Sequence, residues 1–391
     1  MRMSEIINEN ILGMISENID IKKAIKYIFS VYKNNGYEIY LVGGAVRDIL
    51  LGKSPKDYDF ATNAPIDVTM KLFDKVIPTG EQHGTVTIVL YGNYFEITIF
   101  RKDTETDGRH AKIEKANSII DDLARRDFSC NAMALTFDGD LIDPYHGEQD
   151  LENGIVRFVG NPEERMNEDY LRILRFFRFH GRLATNYYDP ATEEAIRKAA
   201  HGLKSISGER IWAEMAKILV GRNAGTEIAE MFKLGVAQNI GLKHDHNAKS
   251  IDTFNSKVES PITVLGYFID GLQEAQAIVA HWKLSNPEAK LLYFISSNKQ
   301  QKVSKETAED MVVDGVPALF VHELSIMNHD DSVASYINNW IVPVFPVTGQ
   351  DMIDIGVKPG PDMGRTLKFL KKKWIESRFT LDKDEVLSLL N

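Results

Sequence analysis

The sequence predicts an α+β head, a mixed sheet with flanking helices, followed by a region that is helical to the C-terminus. Three observations predict it. Short apolar runs separated by turn residues crowd the first 145 or so positions, a Gly43-Gly44 pair follows the first of them directly, and strand signals fade from Pro162 onward.

Taken in order, Ile11, Ile15, Ile19, Ala24 and Ile28 carry helical spacing. Residues 37 to 42 read as a strand running into Gly43-Gly44, residues 57 to 61 as a second, Thr85 to Leu90 as a third and Tyr94 to Phe100 as a fourth, with Tyr91-Gly92-Asn93 joining the last two in a hairpin. Lys102 to Glu114 is too charged for a core strand and too long for a turn, and reads as a mobile loop. Asn167 to Arg182, Ala191 to His201 and Ser207 to Leu219 have helical periodicity, with Asp189-Pro190 and Ser207 as starts. Pro343 to Gly349 and Gly356 to Gly364 punctuate the last residues and set off a small tail.

Composition bounds the function. A chain of 391 residues has room for two or three domains, and its net charge of -10 means that any contact with nucleic acid comes from local basic patches. The single Cys130 excludes an internal disulfide or a multi-cysteine zinc site and fits a reducing compartment. No apolar run approaches the ~18 residues of a membrane span. The acidic segment from Met1 to Asp20 resembles neither a secretory signal nor a transit peptide, so the expected place is the cytosol, or the mitochondrial matrix with its presequence absent.

In the second predicted strand, alternation puts Asp57 and Asp59 on one face. Two hard oxygen ligands at that spacing suit Mg²⁺, which keeps waters and takes up phosphate oxygens. An Asp-x-Asp alone is commonly a pair of solvated carboxylates. Two neighbours strengthen it: Gly43-Gly44-Ala45-Val46-Arg47-Asp48, in which paired glycines and a helix start let backbone N–H groups approach a triphosphate, and Glu96, on the polar side of the fourth strand, as a third acid. Asp169 and Arg172, three apart, are expected on one face of a helix, where such a couple is commonly a surface ion pair but can also present an acceptor and donors side by side.

Gly43 to Asp48, Asp57-Tyr58-Asp59, Arg125-Arg126-Asp127 and Glu168-Asp169-Tyr170-Leu171-Arg172, in this order, resemble the class II CCA-adding tRNA nucleotidyltransferases and the related bacterial poly(A) polymerases. The likeness continues through Ser207 to Trp212, Phe345 to Gly349 and Gly356 to Leu367, and is greatest toward the animal and mitochondrial-type enzymes. It implies a nucleotidyltransferase head at 1–150, a neck with the nucleotide-selecting helix at 151–205, a helical body at 206–330 and a tRNA-binding tail at 331–391. It implies Asp57, Asp59 and Glu96 as catalytic residues, with Asp57 and Asp59 holding Mg²⁺. Gly43, Gly44 and Arg47 then take the triphosphate, Arg126 the phosphates or sugar, and Asp127 the ribose 2′-OH. Asp169, Arg172 and Arg175 handle the nucleotide, and Asp107 and Arg109 lie in the loop that the family needs for A addition.

The implied substrates are CTP, ATP and a tRNA lacking its 3′ CCA, and no membrane partner is expected. Between Lys358 and Arg378 seven Lys/Arg face two acids, and Lys358, Arg365, Lys368, Lys371 and Lys372 are expected to track RNA phosphates. The rival readings are a poly(A) polymerase of the same superfamily, which takes ATP alone and does not stop, a specialised CC-adding or A-adding enzyme, and a non-catalytic RNA-binding protein.

Overall fold

The computed structural model describes residues 13, 15, 18–80, 84–106, 111–183, 188–253, 258 and 260–390, without the side chains of 103–106, 111–113 and 253. The chain divides into two compact units, Met1–Ser256 with Ala280–Leu284, and Lys257–Val279 with Ser285–Asn391.

The first unit opens with α1 (Ile19–Asn34), whose end is set by the Asn18 side chain accepting from the Asp20 and Ile21 amides. Ala24, Ile25, Ile28, Phe29 and Tyr32 form its buried stripe, while Ile11 of the expected spacing lies outside the described residues. Then follow β1 (Ile39–Val42), α2 (Gly44–Leu50), β2 (Asp59–Thr62), α3 (Ile66–Leu72), β3 (Val76–Gly80), β4 (Thr85–Leu90), β5 (Asn93–Ile99), β6 (Arg101–Thr106), β7 (Ala111–Lys115), α4 (Ile119–Ala124), β8 (Ala134–Leu135), β9 (Leu141–Ile142) and α5 (Gly147–Glu152). The main sheet runs β3-β4-β5-β2-β1-β8-β9. It is mixed, since β2 and β5 pair parallel while the other neighbours pair antiparallel.

The β4–β5 hairpin turns on Tyr91 (φ 50°) and Gly92 (φ 77°), with Leu90 opposite Asn93. Two positive φ values in a two-residue loop match the right-handed twist of the strands. Val76–Gly80 escaped the sequence reading because Pro78 argues against a strand, yet β3 is an edge strand, where a missing N–H is tolerated. β8 and β9 have two residues each, too few to show a period.

The expected loop from Lys102 to Glu114 is corrected: β6 and β7 form a separate antiparallel ribbon. Standing outside the main sheet, it needs no apolar face, and its charges pair across the strands, with Lys102 opposite Glu114 and their side chains 3.5 Å apart. Asp107 and Arg109 lie outside the described residues.

Past Ile142 the described chain has no further strand. The first unit continues with α6 (Pro162–Glu168), α7 (Leu171–Leu183), α8 (Pro190–Ala199), α9 (Gly208–Leu219), α10 (Ala224–Lys233) and α11 (Val236–Asn239). Asn161 caps α6 and Asp189 caps α8, each followed by a proline at the first helical position. Phe128, Phe158, Phe176 and Phe179 form one buried ring cluster that fixes α7 against the sheet domain, with Phe158 stacked on Phe176 at 5.9 Å.

The second unit contains α12 (Pro261–Tyr267) and most of α13 (Gly271–Trp282), then α14 (Asn286–Asn298), α15 (Lys305–Val313), α16 (Ala318–Met327), α17 (Asp331–Asn339), α18 (Gly349–Asp354), α19 (Pro361–Glu376) and α20 (Lys383–Ser388). Its C-terminal part has its own core of Val313, Val347, Met352, Met363, Leu370, Trp374, Ile375 and Val386. Among the described residues no helix is long and apolar enough to cross a membrane.

Candidate active site

Asp59 opens β2, and Asp57 sits in the bend before it, so the strand begins two residues later than the sequence suggested. The alternation survives the shift. Tyr58 and Phe60 both turn to Phe95, at 6.3 and 6.4 Å, which leaves Asp57 and Asp59 on the other side. Parallel pairing puts Glu96 of β5 opposite Asp59. Burial pushes the Asp59 carboxyl up to about 6, and the charges of Glu96 and Asp57 add to the rise while Arg126 opposes it. Three hard oxygen donors that repel one another are a donor set that a divalent cation relieves, so the residues present fit a hard metal ion.

β1 delivers the chain to Gly43, whose φ of 69° belongs to glycine and whose Cβ, if it had one, would stand 2.6 Å from Arg126 Nη1. Gly43 is therefore a seat for the Arg126 guanidinium. Arg126 Nη2 donates to Asp122 at 3.0 Å, and Asp122 also takes Arg125 Nε at 3.1 Å. Burial disfavours the Asp122 charge, but Arg126 and Arg125 outweigh it and hold the carboxyl below its usual range. Arg47 is buried, and donates to Asp48 at 2.8 and 3.0 Å and to Asn131 Oδ1 at 2.7 Å.

Asp127 is a hub. It accepts from the Phe128 amide at 2.9 Å, from Asn131 Nδ2 at 3.0 Å, and from Arg175 Nε and Nη2 at 2.7 and 2.5 Å. Those four donors match the four lone-pair directions of a carboxylate. Burial works against its ionisation, yet Arg175 and Asn131 hold its carboxyl below the usual range. In this arrangement Asp127 orients Arg175 directly and Arg47 through Asn131.

The single helix expected from Asn167 to Arg182 is corrected. α6 ends at Glu168, Asp169 is extended (φ -154°, ψ 106°), and α7 begins at Leu171. Two forces break the run. The Asp169 side chain accepts from the Leu171 amide at 3.1 Å, the local bond by which Asp competes with helix. The Tyr170 ring occupies the space beside Gly202, where a Cβ would lie 2.3 Å from it. Asp169 and Arg172 thus do not share one helix face. Asp169 pairs with Arg210 Nη2 at 2.6 Å, while Arg172 pairs with Glu168 and donates to the Arg165 carbonyl at 2.9 Å. Arg165 bonds Glu168 as well, and reaches the carbonyls of Arg125 and Arg126.

Gly43, Gly44 and Arg47, Asp57, Asp59 and Glu96, Arg126 and Asp127, and Asp169, Arg172, Arg175 and Arg210 line one cavity of about 960 Å³. Among its described lining residues, twelve lysines and arginines face six carboxylates, so an acidic protein keeps a positive recess fit for a triphosphate. Sequence reasoning missed the groups that hold the arginines: Asp122, Asn131, Arg165, Arg210 and Glu214, the last 3.0 Å from Arg178. For Arg210 a signal existed, the Ser207 to Trp212 segment, but no role came with it.

In the second unit, the predicted RNA-facing residues diverge in environment. Lys358, Lys368 and Lys372 are exposed, Arg365 pairs with Asp362, and the Lys371 ammonium donates to the Val313 carbonyl. Cys130 is buried, and burial pushes its thiol up to about 12.

Residues 39–157 match the family described as the poly A polymerase head domain, and residues 188–244 the probable RNA and SrmB-binding site of polymerase A. The chain is 36% identical over 392 residues to the mitochondrial CCA tRNA nucleotidyltransferase 1 of Homo sapiens, covering 94% of this chain and 90% of that one. It is 34% identical to the CCA-adding enzyme of Ligilactobacillus salivarius, over 95% of this chain and 96% of the relative. Among solved structures, the Bacillus stearothermophilus CCA-adding enzyme in complex with CTP aligns with a TM-score of 0.83 at 27% identity, over 95% of this chain and 97% of that one.

Proposed function

Since the chain belongs to the CCA-adding tRNA nucleotidyltransferases, we propose that its cavity builds the tRNA 3′ end residue by residue, with its own side chains in place of a template. The protein is a nucleotidyltransferase that adds C, C and A from CTP and ATP. The RNA 3′-OH attacks the α-phosphorus, an O–P bond forms as the bond to the leaving pyrophosphate breaks, and the hydroxyl proton is released. Asp57 and Asp59 would hold Mg²⁺, with Glu96 beside them. When bound, the ion supplies charge that favours the ionised hydroxyl and the leaving oxygens.

The rest falls to the protein. The glycine turn lets phosphate oxygens approach the backbone, and Arg126, fixed by Asp122, offers charge there. Asp127 sets Arg175 and, through Asn131, Arg47. Asp169 accepts from the exocyclic amine of the incoming base, and Arg172 donates beside it. Asp107 and Arg109, between β6 and β7, serve the change to A addition. Residues 1–150 carry the chemistry, 151–205 the base selection, 206–330 the body and 331–391 the grip on tRNA, with Lys358, Lys368 and Lys372 at its surface. Relatives named mitochondrial and the lone buried cysteine support action in the mitochondrial matrix or the cytoplasm.

The observation that carries this reading is the in-register placement of Glu96 against Asp59, with the Gly43 turn and the Asp169–Arg172 pair around the same cavity. The test is incorporation of single NTPs, and of CTP with ATP, into tRNA transcripts ending before CCA, resolved to one nucleotide. Two C and one A, then a stop, is the expected product. An unlimited A ladder would make it a poly(A) polymerase, and turnover by Asp57→Ala or Asp59→Ala would remove the metal assignment.

A further inference from the structure

The proposed reaction has two substrates, and the residues placed around the acids so far serve the incoming nucleotide. In-line displacement sends the leaving pyrophosphate and the attacking 3′-OH to opposite sides of the α-phosphorus. The triphosphate seat is the Gly43 turn, which follows β1, and the sheet runs β4-β5-β2-β1 through the acids. Pyrophosphate therefore leaves on the β1 side of Asp59, and the RNA end arrives over β5 and β4.

That part of the sheet can be followed row by row. Phe95 and Ile97 of β5 are buried on the side where Phe95 meets Tyr58 and Phe60, so Tyr94, Glu96 and Thr98 take the other side. Cross-strand pairing sets Ile77 and Thr87 in one row with Glu96 and Asp59. In the next row Val89 stands opposite Tyr94. The Val89 amide donates to the Lys75 carbonyl at 3.0 Å, which carries the β3–β4 register one residue past Val76 and Ile88 and puts Lys75 opposite Val89. Tyr94 is 66% exposed, and Lys75 is exposed as well. Two residues of strand, about 7 Å, separate Tyr94 from Glu96, which is of the order of the span between a ribose 3′-OH and its own base.

An exposed tyrosine in a strand needs no function, since aromatic residues favour strands. Tyr94 is set apart by its place. An aromatic face and an ammonium lie in one row beside the acids, on the side from which the RNA comes. Stacking with local positive charge holds single-stranded RNA without reading its sequence. Such a hold suits a primer whose last base changes with every addition.

We propose that the open face of β3, β4 and β5 is the seat of the RNA 3′ end, with the Tyr94 ring stacked on the terminal base and Lys75 beside the backbone phosphate. The proposal rests on the reading of Asp57, Asp59 and Glu96 as the acids of nucleotide transfer to tRNA. Tyr94 serves the primer and leaves the choice of nucleotide to the cavity.

The test measures kcat/KM for a tRNA transcript ending before CCA at saturating CTP, and KM for CTP at saturating tRNA, in the wild type, Tyr94→Phe and Tyr94→Leu, with thermal unfolding as a check on folding. A second transcript carries 2-aminopurine as its 3′-terminal base, whose fluorescence is quenched against an aromatic face. Tyr94→Leu is expected to lose about tenfold in kcat/KM for the tRNA with KM for CTP unchanged, and Tyr94→Phe to keep the wild-type value. The 2-aminopurine complex should be dimmer with the wild type and Tyr94→Phe than with Tyr94→Leu. Lys75→Ala should lower the slope of log tRNA affinity against log salt by about one. An unaltered kcat/KM in Tyr94→Leu, an equal loss in Tyr94→Phe, a loss carried by KM for CTP, or equal brightness of the three complexes overturns the stacking role, and an unchanged slope removes Lys75 from the seat. If the wild type adds no C to the transcript, the reading of the acids fails and the proposal with it; if the wild type extends it and Tyr94→Leu does so equally well, the proposal fails alone.

Discussion

Asp59 and Glu96 stand opposite each other where β2 and β5 pair parallel, so that two acids from separate strands share one side of the sheet. Burial first, and then Glu96, raise the Asp59 carboxyl from 3.8 to about 6. The folded protein thus keeps a proton that the unfolded chain has released between those values. The stabilisation is full below about 3.8 and is lost as pH rises through about 6. Without divalent cations, denaturant midpoints should show a decline over this range worth about 1 to 2 kcal/mol after screening at a partly open site. Asp59→Asn should lack that decline.

A cation at the same carboxylates competes with that proton. The rise in Tm on adding Mg²⁺ should amount to a few degrees at about pH 7.5 and shrink below about pH 6. In Asp59→Asn it should vanish, with nucleotide incorporation down by roughly 10³-fold, the scale of losing a main electrostatic contributor.

Gly43 has both a left-handed φ and a guanidinium where a Cβ would go. Gly43→Ala should cost about 1 to 2 kcal/mol of stability. Because it also displaces Arg126, KM should rise about tenfold for CTP and ATP alike, as expected for an interaction with phosphates common to both. Steady-state kinetics with each nucleotide checks this.

Arg172 is bonded to Glu168 and to the Arg165 carbonyl, so only part of its fork is left for a base. Lysine there supplies a point charge without the planar fork. Arg172→Lys should lower discrimination against UTP and GTP by roughly ten- to a hundredfold, measured as kcat/KM ratios.

Lysines of the tail should divide by environment. Replacing Lys358, Lys368 and Lys372 together by alanine should weaken tRNA binding, and lower the slope of log affinity against log salt by about 3, roughly one for each phosphate no longer neutralised. Lys371→Ala removes a bond to the Val313 carbonyl, so its effect should appear as a stability loss of about 1 kcal/mol in thermal unfolding.

Much of this was legible in the residues because the signals were local. Thr85–Leu90 is predicted to the residue, and alternation at Asp57 to Phe60 forecasts which side each residue takes. Most failures share a cause, a partner distant in sequence. Val76–Gly80 is a strand because it has an edge to occupy, and Lys102 and Glu114 sit in strands because each has the other. The helix stops before Asp169 partly because Gly202 leaves room for Tyr170. Nor does any local pattern show that Asp127 lies beneath Arg175, whereas Asp122 stands at the local i,i+3 and i,i+4 spacing from Arg125 and Arg126 and was simply passed over. Motif spacing finds groups that line the cavity. What lies behind them depends on tertiary neighbours.

In an unbroken helix, Asp169 and Arg172 would be neighbours of opposite charge and would neutralise each other. The extended residue between α6 and α7 separates the couple, and each takes a third party instead, Arg210 for the carboxylate and Glu168 for the guanidinium. The two groups border one cavity as an acceptor and a donor that have not spent themselves on one another. On the proposed reading, an arriving base meets a pair of opposite poles in place of a closed salt.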